Sequence, residues 1–216
     1  MKVLQHLLLL TAATVIISSC KKSSNDSGKS NPAVAQSYSN VSYGTDAAQK
    51  MDVFLPANRS TTSTKAMIII HGGAWSGGDI TDLNVFIDTL KRRMPDYAIF
   101  NINYRLATGT ANFFPTQEND VKAAIEFIYG KRSEYLISDK FVLNGQSAGG
   151  HLALLYAYKY TTPVKIKAVI DFFGPSDMVD LYNNPGLVPA ATIALIVGAT
   201  PISNATLYQQ SSPINF

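Results

Sequence analysis

Cysteine occurs once in these 216 residues, at position 20, and histidine three times, at 6, 71 and 151. A lone cysteine excludes any intrachain disulfide, even in an oxidising compartment. With so few imidazole and thiolate groups, no metal site is expected and no cofactor is implied. The chain also lacks an excess of either charge outside its start. Its formal net charge is +3, and residues 1–36 carry all of that with four lysines and one aspartate. The remaining body holds fourteen basic and fourteen acidic residues, so no basic face for nucleic acid is expected. The most apolar stretch near the start, residues 7–17, is too short to cross a bilayer as a stable helix. No internal repeat is visible.

What is present at the N-terminus reads as an export signal. Lys2 gives a short positive region, residues 7–17 an apolar core, and Ile17-Ser18-Ser19-Cys20 a small-residue cleavage site. That last tetrapeptide resembles a bacterial lipoprotein box, and the resemblance implies lipid attachment at Cys20 and a membrane partner. An ordinary cleaved signal with a chance cysteine is the alternative. Residues 20–36, rich in Ser, Lys and Asn, cannot bury a core and read as a flexible tether. Lys21 and Lys22 resemble outer-membrane sorting, placing the protein in the cell envelope. Residues 37–216 are enough for one folded domain.

Along that body, apolar residues alternate in period and predict alternating strands and helices. Met51, Val53 and Leu55 mark a strand ended by Pro56, and residues 65–70 a strand buried on both faces. Thr81 is expected to cap a helix whose Leu83, Phe86, Ile87, Leu90 and Met94 form one stripe. A third strand follows over residues 97–104. Pro115 opens a helix that Gly130 is expected to stop. Residues 141–143 form a short strand, 148–160 a helix, 166–172 a strand and 190–197 a helix; residues 203–216 give no clear pattern. Such alternation implies parallel βαβ units.

Two motifs carry chemistry. Gly145-Gln146-Ser147-Ala148-Gly149 lies between a buried strand and an apolar helix, where a tight turn would project Ser147 as a nucleophile. A capping serine in an ordinary turn is the alternative. His71-Gly72-Gly73-Ala74-Trp75 follows the 65–70 strand. Attack on a carbonyl creates an oxyanion, which needs N–H donors already in place. The N–H groups of Gly73, Ala74 and Ala148 are the candidates, with His71 and Gly72 fixing the loop and Trp75 packing it or walling a pocket.

With these motifs the chain resembles the α/β-hydrolase superfamily, and within it the esterase/lipase group with a His-Gly-Gly-x-Trp loop. The bacterial carboxylesterase-like branch that includes feruloyl and acetylxylan esterases matches best. Asn103-Tyr104-Arg105-Leu106, His151 after Gly149-Gly150, and the run Asp171-Phe172-Phe173-Gly174-Pro175-Ser176-Asp177 agree with it. The resemblance implies an α/β fold, mostly parallel, with helices on both faces. It implies a small ester or an acylated carbohydrate as partner.

In that family a triad acid and a histidine follow the nucleophile along the chain. Here the only later histidine is His151, which reads as a helix-packing residue, while Asp171, Asp177 and Asp180 read as loop or capping residues. The expectation is therefore a hydrolase domain that lacks the last strands and helices, with impaired activity and an exposed sheet edge. Two other functions fit the same residues: a non-catalytic envelope lipoprotein that binds through this scaffold, and an arylformamidase-like amidase.

Overall fold

The computed structural model describes residues 32–216. The expected signal segment, Cys20 and most of the tether lie outside the described residues. Six strands form one sheet: β1 (Gln36–Ser42), β2 (Lys50–Leu55), β3 (Lys65–Ile70), β4 (Tyr97–Ile102), β5 (Lys140–Gln146) and β6 (Lys165–Phe172), in the order β1-β2-β4-β3-β5-β6. β4, β3, β5 and β6 run parallel, whereas β1 and β2 pair antiparallel at one side.

The central strand explains its own composition. Ile68 sits between Phe100 and Leu143, and with Ile70 it packs against helices α2 (Thr116–Gly130) and α4 (Ala148–Lys159). Met67 and Ile69 face the other way, onto Leu83 and onto Ile87 of helix α1 (Asn84–Arg93). A strand covered on both faces needs no polar alternation, and each such side chain contributes about 1.5–3 kcal/mol on burial.

Several boundaries differ from expectation for identifiable reasons. Asp79, not Thr81, caps the first turn: its carboxylate accepts from the N–H of Thr81, and Asp82 returns the favour to the Asp79 N–H. That turn is a short 3-10 segment, Ile80–Leu83, before α1 begins. Gly130 does not end its helix sharply, because the Lys131 N–H still reaches the Phe127 carbonyl and the chain runs on into α3 (Arg132–Tyr135). Leu136 then stops it in a left-handed conformation (φ 54°). β1 was not foreseen at all; its side chains are mostly exposed, so it carries no apolar alternation.

Beyond β6 come α5 (Met178–Asn183), α6 (Ala190–Val197) and α7 (Ala205–Gln210). The following Ser211 and Ser212 are fully buried: Ser212 Oγ accepts from the Met178 N–H at 2.9 Å and donates to the Tyr208 carbonyl at 2.8 Å. β6 itself is a half-exposed edge, unlike β3 and β5.

Candidate active site

β5 ends at Gln146 and α4 begins at Ala148, leaving Ser147 alone on the bend with φ 51° and ψ −117°. A positive φ at a residue with a Cβ costs on the order of 1–2 kcal/mol and persists only where neighbours enforce it. Here the Ser147 N–H donates to the Phe172 carbonyl at 2.8 Å, and the Ser147 carbonyl accepts from His151 N–H at 3.0 Å. Gly149 lets α4 pass against β3, since a Cβ there would lie 2.6 Å from the His71 carbonyl oxygen.

The loop after β3 lies alongside. A Cβ placed on Gly72 would fall 3.5 Å from Ser147 Cβ, so the two motifs are in contact. Gly73 (φ 110°), Ala74 (φ 49°) and Trp75 (φ 56°) are three consecutive left-handed residues, and the Gly73 value suits only glycine. The Gly73 carbonyl closes the turn by accepting from Ser76 N–H at 3.1 Å and Gly77 N–H at 2.8 Å. Among the described residues, no acceptor is bonded to the N–H groups of Gly73, Ala74 or Ala148. Ala148 is also the first residue of α4, where the helix dipole favours negative charge.

Three consecutive residues at the end of β4 hold this arrangement. Asn103 accepts from Ile80 N–H and donates to Asp79, each within 2.9 Å, and that carboxyl is thereby held down at about 2. Tyr104 stacks on the His71 ring (4.3 Å, 10° between planes) and donates its hydroxyl to the His71 carbonyl at 3.1 Å. Arg105 grips the buried Asp120 of α2 through its backbone N–H, Nε and a terminal nitrogen, while Gln49 supplies a fourth donor.

His71 Nδ1 donates to the Gly72 carbonyl at 2.6 Å, and burial lowers its pKa. Its Nε2 is buried without a partner among the described residues. His151 is fully buried between two segments: Nδ1 accepts from Trp75 Nε1–H at 3.0 Å, and Nε2 donates to the Ser211 carbonyl at 2.7 Å. That pairing fixes a neutral tautomer, and burial pushes its pKa down to about 4. Neither histidine is hydrogen-bonded to the Ser147 hydroxyl.

Ser147 and Trp75 open onto a cleft of about 520 Å³. Phe173, Pro175, Leu181, Leu187 and Val188 give it apolar walls, and Asp177, Asp180 and Asn184 a polar side. Asp177 caps α5 by accepting from the N–H groups of Val179 and Asp180; Asp180 accepts from the Asn184 amide. Asp171 accepts from Gly174 N–H at 2.8 Å, and burial raises its pKa. Asp171 and Asp177 are thus turn and capping groups, as expected, whereas Asp180 lies within α5 and holds the Asn184 side chain.

Residues 51–216 match the BD-FAE family. The chain belongs to that family. Its BD-FAE fold is similar to a solved structure described as a truncated form of carbohydrate esterase from gut microbiota, with 27% identity and a TM-score of 0.70. That match covers 88% of this chain and 75% of the other. Among curated proteins, it is 32% identical over 110 residues to Lipase 2 of Moraxella sp. (strain TA144), covering 50% of this chain and 24% of the lipase. It is 25% identical over 197 residues to the kynurenine formamidase-like hydrolase fscH of Fusarium equiseti, covering 78% of this chain and 64% of that protein. The chain thus spans from about a quarter to just under two thirds of these two curated relatives. The fold is that of the α/β-hydrolases.

In this BD-FAE chain Ser147, Ala148, His71, Gly72, Gly73 and Ala74 come together, whereas Cys20 lies outside the described residues. The BD-FAE sequence gave no signal for the wall residues Leu181, Leu187 and Val188, which come from a segment without clear periodicity. His151 proved to be more than a packing residue, because its partners lie 76 and 60 positions away in sequence.

Proposed function

We propose that residues 37–216 carry the nucleophile and oxyanion half of a serine hydrolase acting on carboxylic esters. The observation that supports this most is Ser147 on its strained bend, beside the free N–H groups of Gly73, Ala74 and Ala148. Ser147 Oγ attacks the acyl carbon as a base takes its proton, and the three N–H groups stabilise the oxyanion. The C–O bond then breaks, the alcohol leaves with a proton, and water releases the carboxylic acid from Ser147. Because neither His71 nor His151 is hydrogen-bonded to the Ser147 hydroxyl, this reading places the base outside the described residues, with catalysis by these residues alone impaired. Covalent capture of Ser147 by a fluorophosphonate tests the assignment; a folded sample that never reacts there overturns it.

The carbohydrate esterase in its neighbourhood supports acyl groups on carbohydrate as the substrate. A second reading, hydrolysis of an aromatic N-formyl amide, draws on the likeness to the formamidase-like hydrolase. Parallel assays separate the two: turnover of p-nitrophenyl acetate but not of an N-formyl aromatic amide supports the ester, and the reverse supports the amide.

We further propose that residues 1–19 export the chain and that Cys20 anchors it by lipid to the outer membrane, with 20–36 as tether. The support is the Ile17-Ser18-Ser19-Cys20 pattern alone. Cells fed a labelled fatty acid are expected to mark the chain and retain it in membranes, and Cys20→Ser is expected to lose both. Label retained by that variant overturns the anchor.

A further inference from the structure

We infer that the pole of the domain opposite Ser147 is a docking face for an anionic lipid bilayer, with the Ser147 cleft pointing away from it. The inference stands on residues 32–216 and requires neither lipid at Cys20 nor chemistry at Ser147.

β3, β4, β5 and β6 are parallel, so their last residues share one pole with Ser147 and their first residues share the other. Three of those four first residues are lysines, Lys65, Lys140 and Lys165. Each crossover helix returns the chain to that far pole. There α1 ends in Lys91-Arg92-Arg93, and α2 is followed by Lys131 and Arg132. Asp96, Glu134 and Asp139 oppose them. At the Ser147 pole the balance reverses. Asp79, Asp82, Asp171, Asp177 and Asp180 stand there against Lys50 and Arg105, and Arg105 is neutralised by Asp120. The body's fourteen basic and fourteen acidic residues thus cancel in sum but not in space. Helix dipoles favour bases at helix ends and acids at helix starts, which accounts for part of the pattern. They do not account for the strand lysines, since a strand start needs only a polar residue and all three are cationic. Lys65, Arg92, Arg93, Lys140 and Lys165 form no ion pair among the described residues.

Two further features favour a bilayer over another polyanion. Gln36 lies in register with Leu55, and β2 runs antiparallel to β4, so the N-terminal segment joins the domain at this same pole. Beside it Phe54, Pro56, Met94, Pro95 and Tyr97 line a hollow of about 240 Å³, rimmed by Lys91. Cations around apolar surface suit phosphate headgroups above acyl chains. A bilayer's surface potential fades within about 8–10 Å at physiological salt, whereas a six-residue strand is about 20 Å long. The membrane therefore acts on the near pole and hardly on the acidic one.

The test mixes the 216-residue chain carrying Cys20→Ser with vesicles of phosphatidylcholine alone or with added phosphatidylglycerol. That variant has no acyl anchor and Ser147 plays no part, so failure of either proposal is read separately from failure of this one. Each lysine or arginine beside an anionic surface is worth about fivefold in partitioning. Lys91→Gln, Arg92→Gln and Arg93→Gln together are therefore expected to lower binding to the anionic vesicles about a hundredfold, and to leave binding to the neutral ones unchanged. Lys65→Gln with Lys140→Gln, on strands rather than a helix end, is expected to cost about twenty-fivefold. Lys50→Gln, at the Ser147 pole, should change it by less than about twofold. Equal binding of the Cys20→Ser chain to both vesicles, or no loss in the triple and double variants, overturns the docking face. Tighter binding to duplex DNA than to the anionic vesicles overturns the bilayer as its partner. Trp75, the single tryptophan, lines the Ser147 cleft, so brominated acyl chains should leave its emission unquenched. Quenching overturns the orientation.

Discussion

Ser147 is expected to take a fluorophosphonate rapidly only when imidazole is supplied from solution. An unassisted serine hydroxyl is almost wholly protonated at neutral pH and a poor nucleophile. Neither histidine among the described residues is bonded to Ser147: His71 donates from Nδ1 to the Gly72 carbonyl with its Nε2 buried and unpartnered, and His151 is held by Trp75 and Ser211. Removing the base from triads that act as a unit costs about a millionfold, yet donors at the oxyanion alone retain about a thousandfold or more over water. A small base entering the 520 Å³ cleft can take the Oγ proton as the O–P bond forms and fluoride leaves. The labelling rate should therefore climb with imidazole concentration, read as the mass of the peptide that contains Ser147. Ser147→Ala should show no adduct at any concentration. Rapid labelling without imidazole would mean that a base already serves Ser147, and no labelling of a folded sample with imidazole would falsify the nucleophile assignment.

Replacing His151 by alanine is expected to cost about 3 kcal/mol of stability. The change empties a fully buried position and leaves two partners, the Trp75 indole N–H and the Ser211 carbonyl, without their bonds. For a domain of this size that lowers the melting temperature by about 10 °C. The wild type should also weaken in mild acid. An unfolded His151 takes a proton near its ordinary 6.5, whereas the folded ring resists until about 4. Over that window the unfolded state binds more protons, so stability falls as pH drops from about 6.5 to 4 and is level below. The slope approaches about 1.4 kcal/mol per pH unit. His71, also held neutral by burial, adds to it in the same direction. The Asp79 carboxyl acts in a more acid window, between its usual 3.8 and about 2, so it does not mask the effect. Urea unfolding at a series of pH values, with and without His151→Ala, checks this. An unchanged slope in the variant would show that His151 does not carry it.

How much of this was legible beforehand depends on the range of the forces involved. β3 and the helix stripe of Val121, Ala124, Ile125 and Ile128 were readable because periodic burial writes itself into adjacent residues. Ser147 and the Gly73 loop were readable because a strained turn restricts which residues can stand there. β1 was not, since an exposed edge imposes no pattern. The Thr81 expectation failed because Asp79, two residues earlier, accepts from both the N–H and the hydroxyl of Thr81 and so starts the turn itself, with Asn103 supporting it from 24 positions away. The partners of His151 were hidden for a related reason: they are set by what it faces across the fold, and one sequence records only neighbours along the chain.

Asn103, Tyr104 and Arg105 each fasten a different part: the Asp79 turn, the His71 loop and α2. This makes the chain intolerant of length change at that one place. An insertion or deletion of a single residue there would misalign all three attachments together. The same edit among Thr61, Thr62 and Ser63, which are exposed, would disturb little. Where this protein can accept extra residues is thus set by how many separate segments a given tripeptide keeps in step, rather than by distance from the reacting serine.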